Sequence, residues 1–208
     1  MPDWDDIFTQ EGKVFDTPHP DMERLVRIFK ERGFHRILDL GCGTGRHLIY
    51  FLNFGFEVYG LDASPKALEI SSDWLEQEGK SCDLKLQRVE HKFPYANEFF
   101  DAIISIQVIH HNLLEEIKFT IREMERILKS KGLVYMTYPL FGLGSKLERW
   151  ELKKVEKGTY IPQDGPEAGL PHHFFTEEEI YELFGSFTIL ELYNDKTKHK
   201  ALLAEKKI

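Results

Sequence analysis

The sequence predicts an α/β protein, a mostly parallel sheet with helices on both faces. Three observations carry this. Ile37-Leu38-Asp39-Leu40-Gly41-Cys42-Gly43-Thr44-Gly45-Arg46 is a short apolar run ending in an acidic, glycine-dense turn, and Leu48-Ile49-Tyr50-Phe51-Leu52 after it reads as a helix. Strand-like and helix-like stretches then alternate along the chain, the pattern of parallel strands joined by right-handed crossovers. Near the C-terminal end the alternation stops. Two strand-like runs stand there with only Asn194-Asp195-Lys196-Thr197 between them, so that pair is antiparallel.

Each element has its own signal. A helix over 20–32 places Met22, Leu25, Val26, Ile28 and Phe29 at helical spacing and stops at Gly33. The pattern then predicts strand 36–40, helix 45–54, strand 56–62, helix 65–78, strands 83–88 and 101–106, helix 114–129 and strand 132–138. Ser64 can cap the helix that Pro65 opens, because proline fits the first turn. Thr176-Glu177-Glu178-Glu179 is a capping box that starts a short helix reaching Phe184. Strands over 187–193 and 200–205 complete the hairpin. Residues 139–174 fit no core element; their glycines and interspersed Phe141, Trp150 and Tyr160 suggest a packed lid. The segment before the first helix, with Trp4, Ile7 and Phe8, suggests a second cover over 1–20. The whole chain of 208 residues is then one domain with two lids.

Bulk properties exclude several classes. The net charge is −8, with no Lys/Arg-rich block, which disfavours direct nucleic-acid binding and leaves only an RNA presented by a basic partner. Two cysteines, Cys42 and Cys82, are too few for a disulfide framework or a zinc cluster. The acidic start has no secretory apolar region, and no run approaches the roughly 20 apolar residues of a membrane span. A cytoplasmic protein with no membrane partner is expected.

The glycine turn sits where open α/β sheets bind nucleotide-like ligands. Its glycines run G-x-G-x-G, and Arg46 stands where a dinucleotide fingerprint needs a third small residue. Asp39 lies beside the floor of that pocket. A carboxylate about 6 Å from a pyrophosphate costs roughly 3 kcal/mol per charge pair at an effective dielectric of about 20. The same carboxylate favours a ligand bearing an ammonium and a sulfonium.

Asp39-Leu40-Gly41-Cys42-Gly43-Thr44-Gly45 resembles the first motif of the class I S-adenosylmethionine-dependent methyltransferases. Three more segments follow in that family's order. Val58-Tyr59-Gly60-Leu61-Asp62-Ala63-Ser64 resembles its second-strand motif, and the stretch from Phe93-Pro94-Tyr95 to Phe100-Asp101 its lead-in to the fourth strand. The stretch from Glu123 through Arg126, Leu128 and Lys129 to Gly132 resembles its approach to the fifth. The resemblance is dense over 34–138. It implies a Rossmann-like sheet of seven strands in the order 3-2-1-4-5-7-6, with S-adenosylmethionine as cofactor.

The resemblance also assigns residues. Asp62 would accept the ribose hydroxyls, with Ala63 beside it; Gly41, Gly43 and Gly45 would let the backbone approach; Asp39 and Gln107 would face the methionine part. Glu90, or the backbone at Glu90 and His91, would meet the adenine. Methyl transfer is an in-line displacement, so the protein mainly aligns the nucleophile and excludes water. A base is needed only where the nucleophile must lose a proton. His110, His111, Tyr138, His172 and His173 lie where such a base would sit, with His111, His173 and Tyr138 the leading catalytic candidates. No metal is expected, because neither His110-His111 nor His172-His173 has helical i, i+4 ligand spacing and no carboxylate-rich motif accompanies them.

Ser105-Ile106-Gln107-Val108 replaces the Asp/Asn-Pro-Pro-aromatic box of enzymes that methylate DNA amines, and no Pro-Cys is present. The acceptor expected is therefore a small molecule rather than DNA. A binding-only partner subunit and a tRNA base methyltransferase with a basic partner are the alternatives. A dehydrogenase is disfavoured by Arg46 and Asp39.

Overall fold

The computed structural model describes residues 4–140 and 150–208. Helix α1 (Trp4–Glu11) and helix α2 (Met22–Glu31) precede β1 (Arg36–Leu40). There follow α3 (Arg46–Asn53), β2 (Glu57–Asp62), α4 (Pro65–Gln77), β3 (Asp83–Leu86), β4 (Phe100–Ile106), a 3-10 turn (Ile109–His111), α5 (Leu114–Ile127) and β5 (Leu128–Pro139). After these come β6 (Leu152–Glu156), β7 (Thr159–Pro162), β8 (His172–His173), α6 (Glu177–Leu183), β9 (Phe187–Asn194) and β10 (His199–Lys206).

Seven strands form one sheet in the order β3-β2-β1-β4-β5-β10-β9. The first five pair in parallel, and β10 runs antiparallel to both β5 and β9. With β9 and β10 counted as sixth and seventh of this sheet, the order is the expected 3-2-1-4-5-7-6. Both faces are buried, and successive side chains alternate between them as strand geometry requires. Leu38, Ile103, Val134 and Leu202 face the layer holding Met124, Ile127 and Phe184. Ile37, Ile104, Tyr135 and Leu203 face Met22, Leu25, Phe29 and Phe51. By this alternation Asp39 points to the same side as Ile37, toward α3.

Two polar clamps fix the connections. Ser64 caps α4 by accepting the amide of Ala67 at 2.9 Å. Arg126 donates to Glu123 at 2.8 and 2.6 Å and to the carbonyls of Tyr95 and Phe93, while Glu123 accepts the Phe93 amide at 2.7 Å. The Arg126 guanidinium holds the Glu123 carboxyl below the usual carboxylate range. This pair fastens the loop into β4 to the end of α5. Arg126→Ala is expected to lose about 2 kcal/mol, the cost of orphaning a charge-assisted network, read as a lower denaturation midpoint with unchanged slope.

Three features differ from the sequence pattern. Residues 4–11 form a helix. Strand β5 starts at Leu128 rather than 132, with an irregularity opposite Phe100 and Ala102 and a left-handed Lys131 (φ 61). The segment 139–174 contains a second sheet, β6-β7-β8, antiparallel throughout. This small sheet docks on the main body through Glu156, which accepts the Leu114 amide at 2.7 Å, and through His173. The part of that segment over 141–149, including Phe141, Gly142 and Gly144, lies outside the described residues.

Candidate active site

The carboxyl ends of β1, β2 and β4 converge at the glycine turn, the crevice where an open α/β sheet holds its ligand. Gly41, Gly43 and Gly45 have φ of 78, 53 and 93°, all left-handed. The amides of Gly41 and Cys42 donate to the Leu61 carbonyl at 2.7 and 3.1 Å, which staples the turn to the end of β2. A Cβ on Gly41 would stand 2.3 Å from Val108 Cγ2. The backbone therefore passes where no side chain fits.

Asp62 ends β2 and is buried. Its Oδ2 accepts the Gly43 amide at 2.8 Å and its Oδ1 the Ser64 amide at 2.9 Å. Burial raises its carboxyl above the usual range, and those amides act against the shift. Each oxygen keeps a further lone pair for a hydroxyl donor. Ala63 follows on the rim.

Asp39 is the exceptional group. It is 1% exposed, and neither carboxylate oxygen has a hydrogen-bond partner among the described residues. The nearest ring nitrogen, His47 Nδ1, is 3.7 Å from Oδ2, too far to donate well. His47 Nε2 already accepts the His19 amide at 3.1 Å, so its proton sits on Nδ1. Burial pushes the Asp39 carboxyl up to about 8, with Arg46 pulling down and Asp62 pushing up. Burying an unpartnered carboxyl costs free energy unless a ligand completes it. A cationic group at the crevice is the chemistry that completes it.

Gln107 follows β4 in a left-handed conformation (φ 60), and its side-chain amide donates to Thr137 Oγ1 at 3.1 Å. Non-glycine residues held at positive φ cluster at functional sites. Glu90 is engaged with Arg88 at the surface, and exposed His91 closes a turn onto the Arg88 carbonyl. Tyr138 is buried against Phe175, and burial raises its hydroxyl pKa. His173 is fully buried, with Nδ1 2.7 Å from Thr159 Oγ1 and Nε2 2.9 Å from Glu179, so it ties the small sheet to α6.

His111 lies elsewhere, with His110 and His172. The ring centroids of His110 and His111 are 3.9 Å apart, and those of His111 and His172 are 4.6 Å apart. Burial and the neighbouring His172 push His111 down to about 3, so it stands as a neutral lone-pair donor. Along the chain the two histidine pairs stand some sixty residues apart. The fold takes both residues of the first pair and one of the second, so the spacing objection to a metal no longer applies.

Helix α1 closes the crevice. Phe8 Cζ is 3.6 Å from a Cβ placed on Gly43, and the Trp4 ring meets His111 edge-on at 5.2 Å. Asp5 Oδ1 accepts from Ser64 Oγ at 2.6 Å and from the Lys66 amide at 2.8 Å. Thr44 and Arg46 donate to the carbonyls of Phe15 and Thr17, wrapping the next stretch around the turn. Trp4 lies in the segment expected to cover the site, whereas Arg46 stands in the site without having been expected to line it. The only signal for Arg46 was its place directly after Gly45.

Residues 38–136 match the family model for a methyltransferase domain. These residues form a methyltransferase domain, similar to those of the class I S-adenosylmethionine-dependent methyltransferases. The buried Asp39, without a hydrogen-bond partner among the described residues, fits a ligand bearing an ammonium and a sulfonium, the groups S-adenosylmethionine carries. The methyltransferase is 28% identical over 130 residues to a ubiquinone biosynthesis O-methyltransferase of Bartonella bacilliformis (60% of this chain, 51% of that one). It is 26% identical over 168 residues to a tRNA N(3)-cytidine methyltransferase of Gallus gallus (77% of this chain, 44% of that one). The matches span about half the length of these relatives. Among solved structures, a SAM-dependent methyltransferase of Methanosarcina mazei superposes with a TM-score of 0.73 at 20% identity, over 92% of this chain and 99% of that one. No helix among the described residues is long and apolar enough to cross a membrane.

Proposed function

We propose that this methyltransferase acts on a small-molecule acceptor enclosed between the glycine turn, α1 and the small sheet. One observation carries the reading: α1 is fastened across the crevice by Asp5, with Phe8 on the glycine turn and Trp4 on His111. An enclosed, aromatic-walled site suits a small acceptor, and a net charge of −8 does not attract a polyanion.

In this reading the cofactor supplies an electrophilic methyl group on a sulfonium, and the chain supplies position. The Asp39 carboxylate faces the cationic methionine part. Asp62 accepts the ribose hydroxyls, with its own orientation fixed by the Gly43 and Ser64 amides. Gln107 shapes the end of β4 beside the reacting centre. Trp4 and Phe8 keep water out. His111 walls the site beside Trp4 rather than storing a proton, so proton loss follows the acceptor's own acidity. Asp62→Ala is expected to weaken S-adenosylmethionine binding by about 2 kcal/mol through loss of charge-assisted hydrogen bonds. Calorimetry giving unchanged affinity would remove the ribose role.

A second reading, an RNA base as acceptor, is favoured by the likeness to the tRNA enzyme over 77% of this chain. Methyl-labelled cofactor offered with a cell extract separates the two. Label in the low-molecular-weight fraction supports the first reading. Label confined to RNA or to protein overturns it.

A further inference from the structure

We propose that His110, His111 and His172 form a divalent-metal site of the zinc class, which pins the small sheet to the end of β4. One nitrogen from each ring lies within 4.8 Å of the other two. Tetrahedral Zn–N bonds of 2.0–2.1 Å put such nitrogens about 3.4 Å apart, so closure needs ring movements on the order of 1 Å.

Three independent features point to a cation. His172 Nδ1 is 3.0 Å from the Leu170 carbonyl and His111 Nδ1 is 3.3 Å from the Pro171 carbonyl. Each carbonyl accepts from Nδ1 and leaves Nε2 as the nitrogen available to a cation, the outer-shell arrangement that metal-bound histidines use. His172 Nε2 donates to the Glu167 carboxylate at 2.6 Å; a cation replacing that proton would find the carboxylate in place as a fourth donor beside the three rings. The third ring, His110, is 2% exposed, and its Nδ1 has no hydrogen-bond partner among the described residues. Three imidazoles crowded together with one carboxylate are a poor hydrophobic cluster and a good donor set for zinc, nickel or cobalt. The location gives the site a purpose. His110 and His111 follow β4 at the crevice, whereas Glu167 and His172 belong to the segment after β7, so one ion would join cover to scaffold.

Two of the three tryptophans report on the cluster, Trp4 at 5.2 Å from the His111 ring and Trp150 at 6.3 Å from the His172 ring. The experiment uses the full, tag-free chain stripped with a chelator and titrated with Co2+. The expected result is binding at one equivalent, with intense visible bands of a four-coordinate ion and quenched tryptophan fluorescence. His111→Ala and His172→Ala should each weaken binding by more than the roughly 10–100-fold that loss of an outer partner costs. His35→Ala, at an exposed histidine away from the cluster, should bind as the parent does. Weak octahedral bands, no stoichiometric binding, or binding that survives both cluster substitutions would overturn the site. If a variant does not fold, judged by circular dichroism, the Co2+ spectrum of the parent chain decides alone. S-adenosylmethionine calorimetry on the stripped chain is a separate readout, and its failure would count against the proposed function and not against the metal.

Discussion

Asp39→Asn is expected to stabilise the ligand-free protein at pH 8 and to abolish most of its affinity for S-adenosylmethionine. The carboxyl is buried without a partner and titrates near 8 in the folded chain, against about 3.9 when unfolded. Between those values the folded state holds a proton that the unfolded state has released, so stability falls as pH rises. The contribution is fully present below pH 4 and is lost as pH climbs through 8. The slope approaches about 1.4 kcal/mol per pH unit in the middle of that window. Asparagine carries no charge, so the variant should lose the slope and melt at nearly the same temperature at pH 5 and pH 8. The ligand effect has the opposite sign. A cationic ligand favours the ionised carboxyl, so parent affinity should rise with pH up to about 8 as less proton release is required. Melting scans with and without cofactor at several pH values test both halves. Parallel pH profiles for parent and variant would refute the account.

Gly41→Ala is expected to cost about 2–5 kcal/mol and to lower the melting temperature by on the order of 10 °C. Two causes add. A left-handed backbone at φ 78 disfavours any side chain by roughly 1–2 kcal/mol. The new Cβ would also stand 2.3 and 2.6 Å from the two Val108 methyl carbons, and overpacking of this kind costs about 1–3 kcal/mol. A double-mutant cycle separates them. Val108→Ala should recover the steric share and leave the backbone share, giving a coupling energy of the order of 1 kcal/mol or more. Strict additivity of the two substitutions would mean that the methyls are not the obstacle.

The parts of this molecule legible in the sequence are those where the backbone leaves no choice. Gly41 must be glycine because its φ is positive and Val108 fills the space of a side chain, so the turn announces itself. Strands buried on both faces read as apolar runs, and their order follows from alternation and the final hairpin. Elements held by tertiary contacts are silent. Helix α1 has eight residues with one buried, Phe8, and its fastening through Asp5 to Ser64 and Lys66 leaves no periodic trace. Strand β6, Leu-Lys-Lys-Val-Glu, buries none of its side chains, so no hydrophobic pattern marks it. β5 begins at Leu128, just before a run of Lys129, Ser130 and Lys131 that looks like a helix end, because an irregular pairing opposite Phe100 replaces regular alternation there. His111 and His172 meet only because β8 folds back onto the 3-10 turn, and spacing along the chain carries no sign of that.

One carboxylate oxygen, Asp5 Oδ1, holds α1 at the mouth of the crevice. A short cover of eight residues comes away as a unit, and the fraction of time it is away enters every measurement made beneath it. The apparent dissociation constant of a ligand that needs the open form is its intrinsic value divided by that fraction. Affinity at the glycine turn is thereby governed in part from the first residues of the chain. Changes there can retune how much cofactor the enzyme retains while the contacts of the bound ligand stay as they are.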